Sequence, residues 1–180
     1  MDLVERNDRI VLGIEISTLS SRFQVRKLTE EDLEQVLALY QTNPLYFEYF
    51  PPRPSLESLV NDLVDCPPEK NLSDKYFLGF WEKDRLVAVL DLIDAYPTDE
   101  VAYVGLFIVD KSYQGRGLGS AIIKEVIANL PSHLITIRLG YVSRNPQSKA
   151  FWLKNSFEST RETKNLGGIE VSLMEYHRHI

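Results

Sequence analysis

The stretch that most constrains this chain runs from Val101 to Leu130, VAYVGLFIVDKSYQGRGLGSAIIKEVIANL. Residues 101–109 form an apolar run in which Val104, Phe107, Ile108 and Val109 favour an extended backbone. A run with no polar face suits a strand buried on both sides. Leu118, Ala121, Ile122, Ile123, Val126, Ile127 and Leu130 then recur at helical spacing, and Pro131 stops the helix. Between the two lies Gln114-Gly115-Arg116-Gly117-Leu118-Gly119-Ser120. Glycines at a helix start let a ligand approach the backbone closely, and the first N–H groups of the helix are free to meet it. The helix dipole adds partial positive charge at the same spot, so the sequence makes an anion site of the kind that takes pyrophosphate. The plainer reading is an ordinary glycine-rich turn.

Spacing narrows the choice of anion. The dinucleotide fingerprint G-x-G-x-x-G fails, because counting from Gly115 puts Ser120 where the last glycine belongs. The ATP loop fails as well, since no Lys-Ser or Lys-Thr follows these glycines. What remains is Q-x-x-G-x-G, carried by Gln114, Gly117 and Gly119 after a buried strand. This resembles the acyl-CoA pyrophosphate loop, [RQ]-x-x-G-x-[GA], of the GNAT superfamily of N-acyltransferases.

Composition sets the outer bounds. At 180 residues the chain is expected to form one domain. No apolar run reaches the roughly 18 residues of a membrane-spanning helix. The first residues, MDLVERNDRIVLGIEIS, are charged and do not read as a secretory signal. Cys66 is the only cysteine, so no intrachain disulfide is expected and a cytoplasmic setting is. Followed by Pro67 and Pro68, it reads as a loop thiol and not as a nucleophile. The net charge of −6 argues against nucleic acid as a partner. It sets off the basic residues in or near the glycine loop: Lys111, Arg116, Lys124, Arg144, Lys149 and Lys154. His133, His177 and His179 are not spaced as a metal site, and no metal is expected.

Taken in order, residues 1–21 read as an N-terminal arm or edge strand, from the alternation of Ile10, Leu12, Ile14 and Ile16. Residues 22–27 read as a strand. Thr29-Glu30-Glu31-Asp32 opens a helix faced by Leu33, Val36, Leu37 and Tyr40. LYFEYFPPR, residues 45–53, reads as a proline-bounded aromatic loop. It either plugs the core or walls an acceptor site with Tyr46, Tyr49 and Phe50. Ser55 caps a second helix, with Leu56, Leu59, Val60 and Leu63 on one face. Residues 75–81 and 86–94 form a hairpin whose second strand, LVAVLDLID, is interrupted by Asp91 and Asp94. A carboxylate there must be paired or must face a wet cleft. Gly105 inside the central strand points to a bulge. Residues 134–142 read as a strand, Asn145-Pro146 as a helix start, and 157–164 with 169–177 as a hairpin through Gly167-Gly168.

This order is similar to that of the GNAT family across Arg22 to Ile180, taken as one N-acetyltransferase domain. A second match lies at Leu139–Asn145, LGYVSRN. The resemblance implies an α/β fold: a mixed, mostly antiparallel sheet flanked by helices, with splayed central strands forming an acyl-CoA cleft. It implies acetyl-CoA as co-substrate, bound by Gln114, Gly115, Arg116, Gly117, Leu118, Gly119 and Ser120. The backbone of Phe107, Ile108 and Val109 would lie along the pantetheine arm, with Asn145 and Trp152 beside it. One N–H of that strand would face the thioester oxygen, where a preorganised donor favours acyl transfer. An amine on a small molecule, peptide or protein would attack directly, and a homodimer is compatible with the family.

Two features depart from the family pattern. Where many members carry an acidic tyrosine seven residues after the asparagine, this chain has Trp152, which is no general acid at neutral pH. The central strand also lacks the frequent glutamate. Asp91 is then the candidate base and Tyr141 the candidate acid, with Tyr103 an alternative to Tyr141. The rival reading is a non-catalytic acyl-CoA-binding sensor with the same fold.

Overall fold

The three most apolar strand segments need cover on both faces, and the chain puts them side by side in the middle of one sheet. The computed structural model describes residues 3–6 and 9–180. A hairpin of β1 (Leu3–Arg6) and β2 (Arg9–Leu12) comes first. Then follow β3 (Gln24–Lys27), α1 (Leu33–Gln41), α2 (Pro44–Tyr49), α3 (Leu56–Val64), β4 (Lys75–Glu82) and β5 (Arg85–Ile93). The chain ends with β6 (Val101–Val109), α4 (Leu118–Asn129), β7 (Thr136–Val142), α5 (Pro146–Lys154), β8 (Glu158–Leu166) and β9 (Ile169–His177). The sheet has seven strands in the order β3-β4-β5-β6-β7-β9-β8. Only β6 and β7 pair in parallel; the other neighbours are antiparallel.

Alternation along the central strands feeds two cores. Leu90, Leu92, Val104 and Val109 face α4, where Ile122, Ile123 and Val126 meet them. Val89 and Ile108 face the other way, onto Val36 and Leu39 of α1 and Leu59 of α3. The sheet is thus open and sandwiched between helices, the arrangement of a GNAT fold.

Two irregularities shape the middle of the sheet. The β5–β6 register passes from Asp91↔Leu106 to Leu92↔Val104, which leaves Gly105 as the extra, bulged residue. The β6–β7 pairing covers only Val101–Val104 against Thr136–Leu139, although β6 continues to Val109 and β7 to Val142. The two strands therefore part just where the bulge lies, because a bulge bends its strand.

The structure corrects one reading of the sequence and sets aside one of the two alternatives, arm or edge strand, for the N-terminal segment. Residues 44–49 are not loop but a short helix, entered by Pro44 at its first position. Phe47 then packs on Tyr40, with ring centroids 5.3 Å apart. The N-terminal segment supplies no edge strand to the sheet, because β1 and β2 pair only with each other. Ile14 and Leu19, which follow, are buried in the core. Among the described residues no helix is long and apolar enough to cross a membrane.

Candidate active site

The glycine loop folds as its composition demands. Gly115 and Gly117 sit at φ +80° and +76°, a region L side chains avoid. A Cβ added to either would meet nothing within 4 Å, so the space above the loop is open. Gly117 caps α4 without a side chain, and Ala121 N donates to its carbonyl at 3.0 Å. The N–H groups of Leu118, Gly119 and Ser120 belong to the first turn, which has no intrahelical acceptors to offer them. Gly119 has a different role: its missing Cβ makes room for Phe151, which would lie 3.2 Å away.

A groove of about 640 Å³ runs from this helix start along β6. Gln114, Gly115, Gly117, Leu118, Gly119 and Ser120 line one end. Phe107, Ile108, Val109, Asn145 and Trp152 line the other. Arg116 does not line the groove; its guanidinium donates to Ser112 O at 2.9 Å, away from it. Lys111 and Lys154 are the basic residues on the groove wall.

Strand geometry decides which backbone groups face the gap. Asp110 N donates to Val87 O of β5 at 2.8 Å. Direction alternates along a strand, so the N–H groups of Phe107 and Val109 turn away from β5, toward the side left open by β7. Ile108 is turned the opposite way; it contributes its position to the groove but gives its backbone to the β5 ladder. The Val109 carbonyl is already engaged, accepting from Gln114 Nε2 at 2.8 Å and Asn43 Nδ2 at 3.0 Å. Gln114 Nε2 also reaches Asn43 Oδ1 at 2.7 Å. The signature glutamine thus ties the loop to the α1–α2 corner. Nothing in the sequence singled out Asn43 beyond its place before a proline.

Asn145 is 4% exposed and caps α5, accepting from Gln147 N at 3.1 Å and Ser148 N at 3.2 Å. Trp152 stands in an aromatic group, 6.2 Å from Phe107 and 5.0 Å from Phe157. A second cavity of about 220 Å³ lies in the gap between β6 and β7 and holds Tyr103, Tyr141, Asn145 and Trp152 on its walls. Burial raises the Tyr103 phenol above its usual range.

A third cavity, about 230 Å³, opens on the other side of Gly105. Asp91 lies on its wall, with both carboxylate oxygens accepting from Lys75 Nζ, at 2.9 and 2.8 Å. The carboxylate is therefore both paired and turned to a cleft, the two alternatives the sequence left open. Burial raises its pKa, and the Lys75 charge opposes that shift. Tyr46 lines all three cavities and Phe50 lines the second and third. Tyr49 lines none of them; its ring lies 6.0 Å from the Arg144 guanidinium. Asp62 of α3, which the sequence did not single out, also faces the third cavity.

Comparison with known proteins agrees with this fold. The family model described as an acetyltransferase (GNAT) domain matches residues 55–178, and the chain belongs to that family. Members of this family are acyltransferases that use acetyl-CoA. Similar solved structures include an acetyltransferase from Thermus thermophilus, 24% identical, with a TM-score of 0.70 over 87% of this chain and 97% of that one. The RimL ribosomal L7/L12 alpha-N-protein acetyltransferase in complex with coenzyme A is 16% identical, with a TM-score of 0.65, 91% of this chain and 98% of its own covered. The PaiA N-acetyltransferase from Thermoplasma acidophilum, also with coenzyme A, is 18% identical, with a TM-score of 0.58 over 86% and 99%. At these identities the likeness is one of fold. A search of curated protein sequences finds no match.

Proposed function

We propose that this chain is an N-acetyltransferase that moves an acetyl group from acetyl-CoA to an amine by direct attack in a ternary complex. One observation carries the reading: an uncapped helix start and an unpaired strand edge open onto the same groove. The first suits pyrophosphate and the second suits the amide-bearing arm that follows it. Acetyl-CoA supplies the activated acyl group. The N–H groups at Leu118–Ser120 hold the phosphates, over the open space at Gly115 and Gly117. The N–H groups of Phe107 and Val109 serve the arm and the thioester oxygen. Asn145 and Trp152 border the same passage. Tyr141 is the proposed proton donor to the leaving thiolate, and Asp91 acts at the amine side, where Tyr46 and Phe50 form walls. Direct attack fits because Cys66, the sole cysteine, lines none of the three cavities.

The test is thermal melting with acetyl-CoA, CoA and NAD side by side. Ligand at about 100 times its dissociation constant stabilises by roughly 2.7 kcal/mol. Each kcal/mol moves the midpoint by about 2–4 °C in a domain of this size. A shift with both CoA species and none with NAD supports the reading; no shift with either overturns it. One observation favours a second reading: Trp152 stands where the resemblance would have a tyrosine. A non-catalytic acyl-CoA sensor would show the same shift but release no CoA with any amine.

A further inference from the structure

Asn43 stands where a helix cap is expected and does something else. It occupies the N-cap position of α2, and asparagine is among the residues that cap best, yet its side chain makes no cap hydrogen bond. The amide turns to the end of β6 instead. Asn43 Nδ2 donates to Val109 O and to Thr42 Oγ1, each at 3.0 Å, while Oδ1 accepts from Gln114 Nε2 at 2.7 Å. Gln114 Nε2 donates to the same Val109 carbonyl at 2.8 Å. Val109, Gln114 and Asn43 thus close a triangle of hydrogen bonds. Beyond Asp110, Lys111 N donates to Thr42 Oγ1 at 3.1 Å, so Thr42 and Asn43 grip the chain on either side of that residue. Thr42, Asn43, Val109, Lys111 and Gln114 all line the groove.

The place of this triangle gives it a use. β7 pairs with β6 only as far as Val104, so the edge of β6 that faces the gap has no strand beside it at Phe107 and Val109. The N–H and C=O of one strand residue point the same way. The carbonyl held by Asn43 and Gln114 therefore lies on the edge whose N–H groups face the groove. A carbonyl oxygen has two lone pairs, and the two amides occupy both. They stand in for the missing strand at the end of β6, while the N–H groups of that edge still face the groove. An edge already held in its bound geometry spares a ligand the cost of ordering it.

We infer that Asn43 is a positioning residue for the arm of acyl-CoA, acting through Val109. With Gln114 it presets the open edge of β6, so that the N–H groups of Phe107 and Val109 meet the amide-bearing arm in register. The inference rests on the acetyltransferase reading and adds to it a residue outside the glycine motif. The phosphates are a separate matter. Their proposed donors belong to the first turn of α4, and Gln114 keeps its own bond to Val109 O when Asn43 is removed. Loss of Asn43 is therefore felt along the arm and not at the pyrophosphate.

The experiment measures binding without turnover, by calorimetry on the full chain, with two ligands. One is CoA; the other is 3′-phospho-ADP, the nucleotide that remains when CoA is cut after its pyrophosphate and the arm is lost. Asn43→Ala should weaken CoA about three- to tenfold, the net worth of one hydrogen bond, and leave the nucleotide unchanged. Asn43→Asp keeps the acceptor for Gln114 but loses the donor and sets an oxygen against the Val109 carbonyl. It should weaken CoA at least as much, and it keeps the test open should Asn43→Ala fail to fold. A merely structural role would lower the melting midpoint without telling the two ligands apart. Equal weakening of both ligands, or unchanged CoA affinity in the variants, would overturn the inference. CoA binding that ignores Asn43 sinks only this inference, whereas a wild type that binds no CoA sinks the acetyltransferase reading.

Discussion

Lys75 Nζ donates to both oxygens of Asp91, at 2.9 and 2.8 Å, across neighbouring strands of the sheet. The side chains are 3% and 19% exposed, so this is an ion pair largely out of water. In such pairs the cost of removing one partner exceeds the worth of the contact, because the survivor keeps its desolvation penalty. Lys75→Met should therefore cost roughly 3–5 kcal/mol, read as a lowered denaturation midpoint. Removing both charges together, Lys75→Met with Asp91→Leu, should cost clearly less than the sum of the two single changes. Additive costs in that cycle would mean that the pair is not coupled.

Asp62 gives the opposite sign. Burial, with the Asp91 charge beside it, pushes its carboxyl up to about 6, while Lys75 partly offsets this and Asp65 adds to it. Below about pH 4 the carboxyl is protonated in both folded and unfolded chains. Between there and about pH 6 the folded chain still holds a proton that the unfolded chain has released, so stability falls as pH rises through that window. Above it the penalty is complete. Asp62→Asn should melt higher than wild type at pH 7.5, with the difference vanishing below pH 4. Parallel melting curves of the two proteins from pH 3.5 to 8 check this, and a constant offset would contradict it.

These two carboxylates mark the limit of what the sequence discloses. The glycine loop was legible because its message is local: Gly115 and Gly117 need positive φ, and the helix follows at once. The bulge at Gly105 and the cap at Asn145 were legible for the same reason. Asp91 announced itself by interrupting an apolar strand, and its partner was within reach of argument, since Lys75 is the one basic residue of the facing strand KYFLGFWE. Asp62 gave no such signal. On a helix read only for Leu56, Leu59, Val60 and Leu63 it looks like an ordinary polar position, and only the packing of α3 against the sheet brings it to the cavity. Helix α2 was hidden by its own composition, because aromatics and prolines favour loop over a helix of six residues.

Two of the loop glycines, Gly117 and Gly119, should fail in different ways. At Gly117 the φ of +76° makes any L residue strained, although the space is empty. Gly117→Ala should cost roughly 1–2 kcal/mol from backbone strain alone, and Gly117→Arg should in addition abolish acetyl-CoA binding by filling the proposed phosphate site. At Gly119 no backbone strain arises, and a Cβ would press on Phe151 at 3.2 Å and Val109 at 3.5 Å. Gly119→Ala should therefore become tolerable when Phe151 is shortened to Leu, while Gly117→Ala gains nothing from that change. Denaturation midpoints of the four variants decide it.

Gly105 offers the sharpest separation of groove from cavity. It is exposed, its φ is unremarkable, and a Cβ there would lie 3.1 Å from Asp91 Oδ2 and 3.5 Å from Cγ. The carboxylate cannot yield freely, because Lys75 holds both its oxygens. Gly105→Ala should thus cost about 1–3 kcal/mol, the usual range for overpacking. Gly105 lines both the third cavity and the gap between β6 and β7, and the new methyl stands on the Asp91 side. The glycine-loop end of the groove, where the phosphates are proposed to sit, lies at Gly115–Ser120 and is untouched. Acetyl-CoA should therefore bind Gly105→Ala as it binds wild type, while CoA release with an alkylamine falls. Equal losses in both would mean that the bulge shapes the CoA groove itself, and unchanged turnover would mean that Asp91 does not act at the amine.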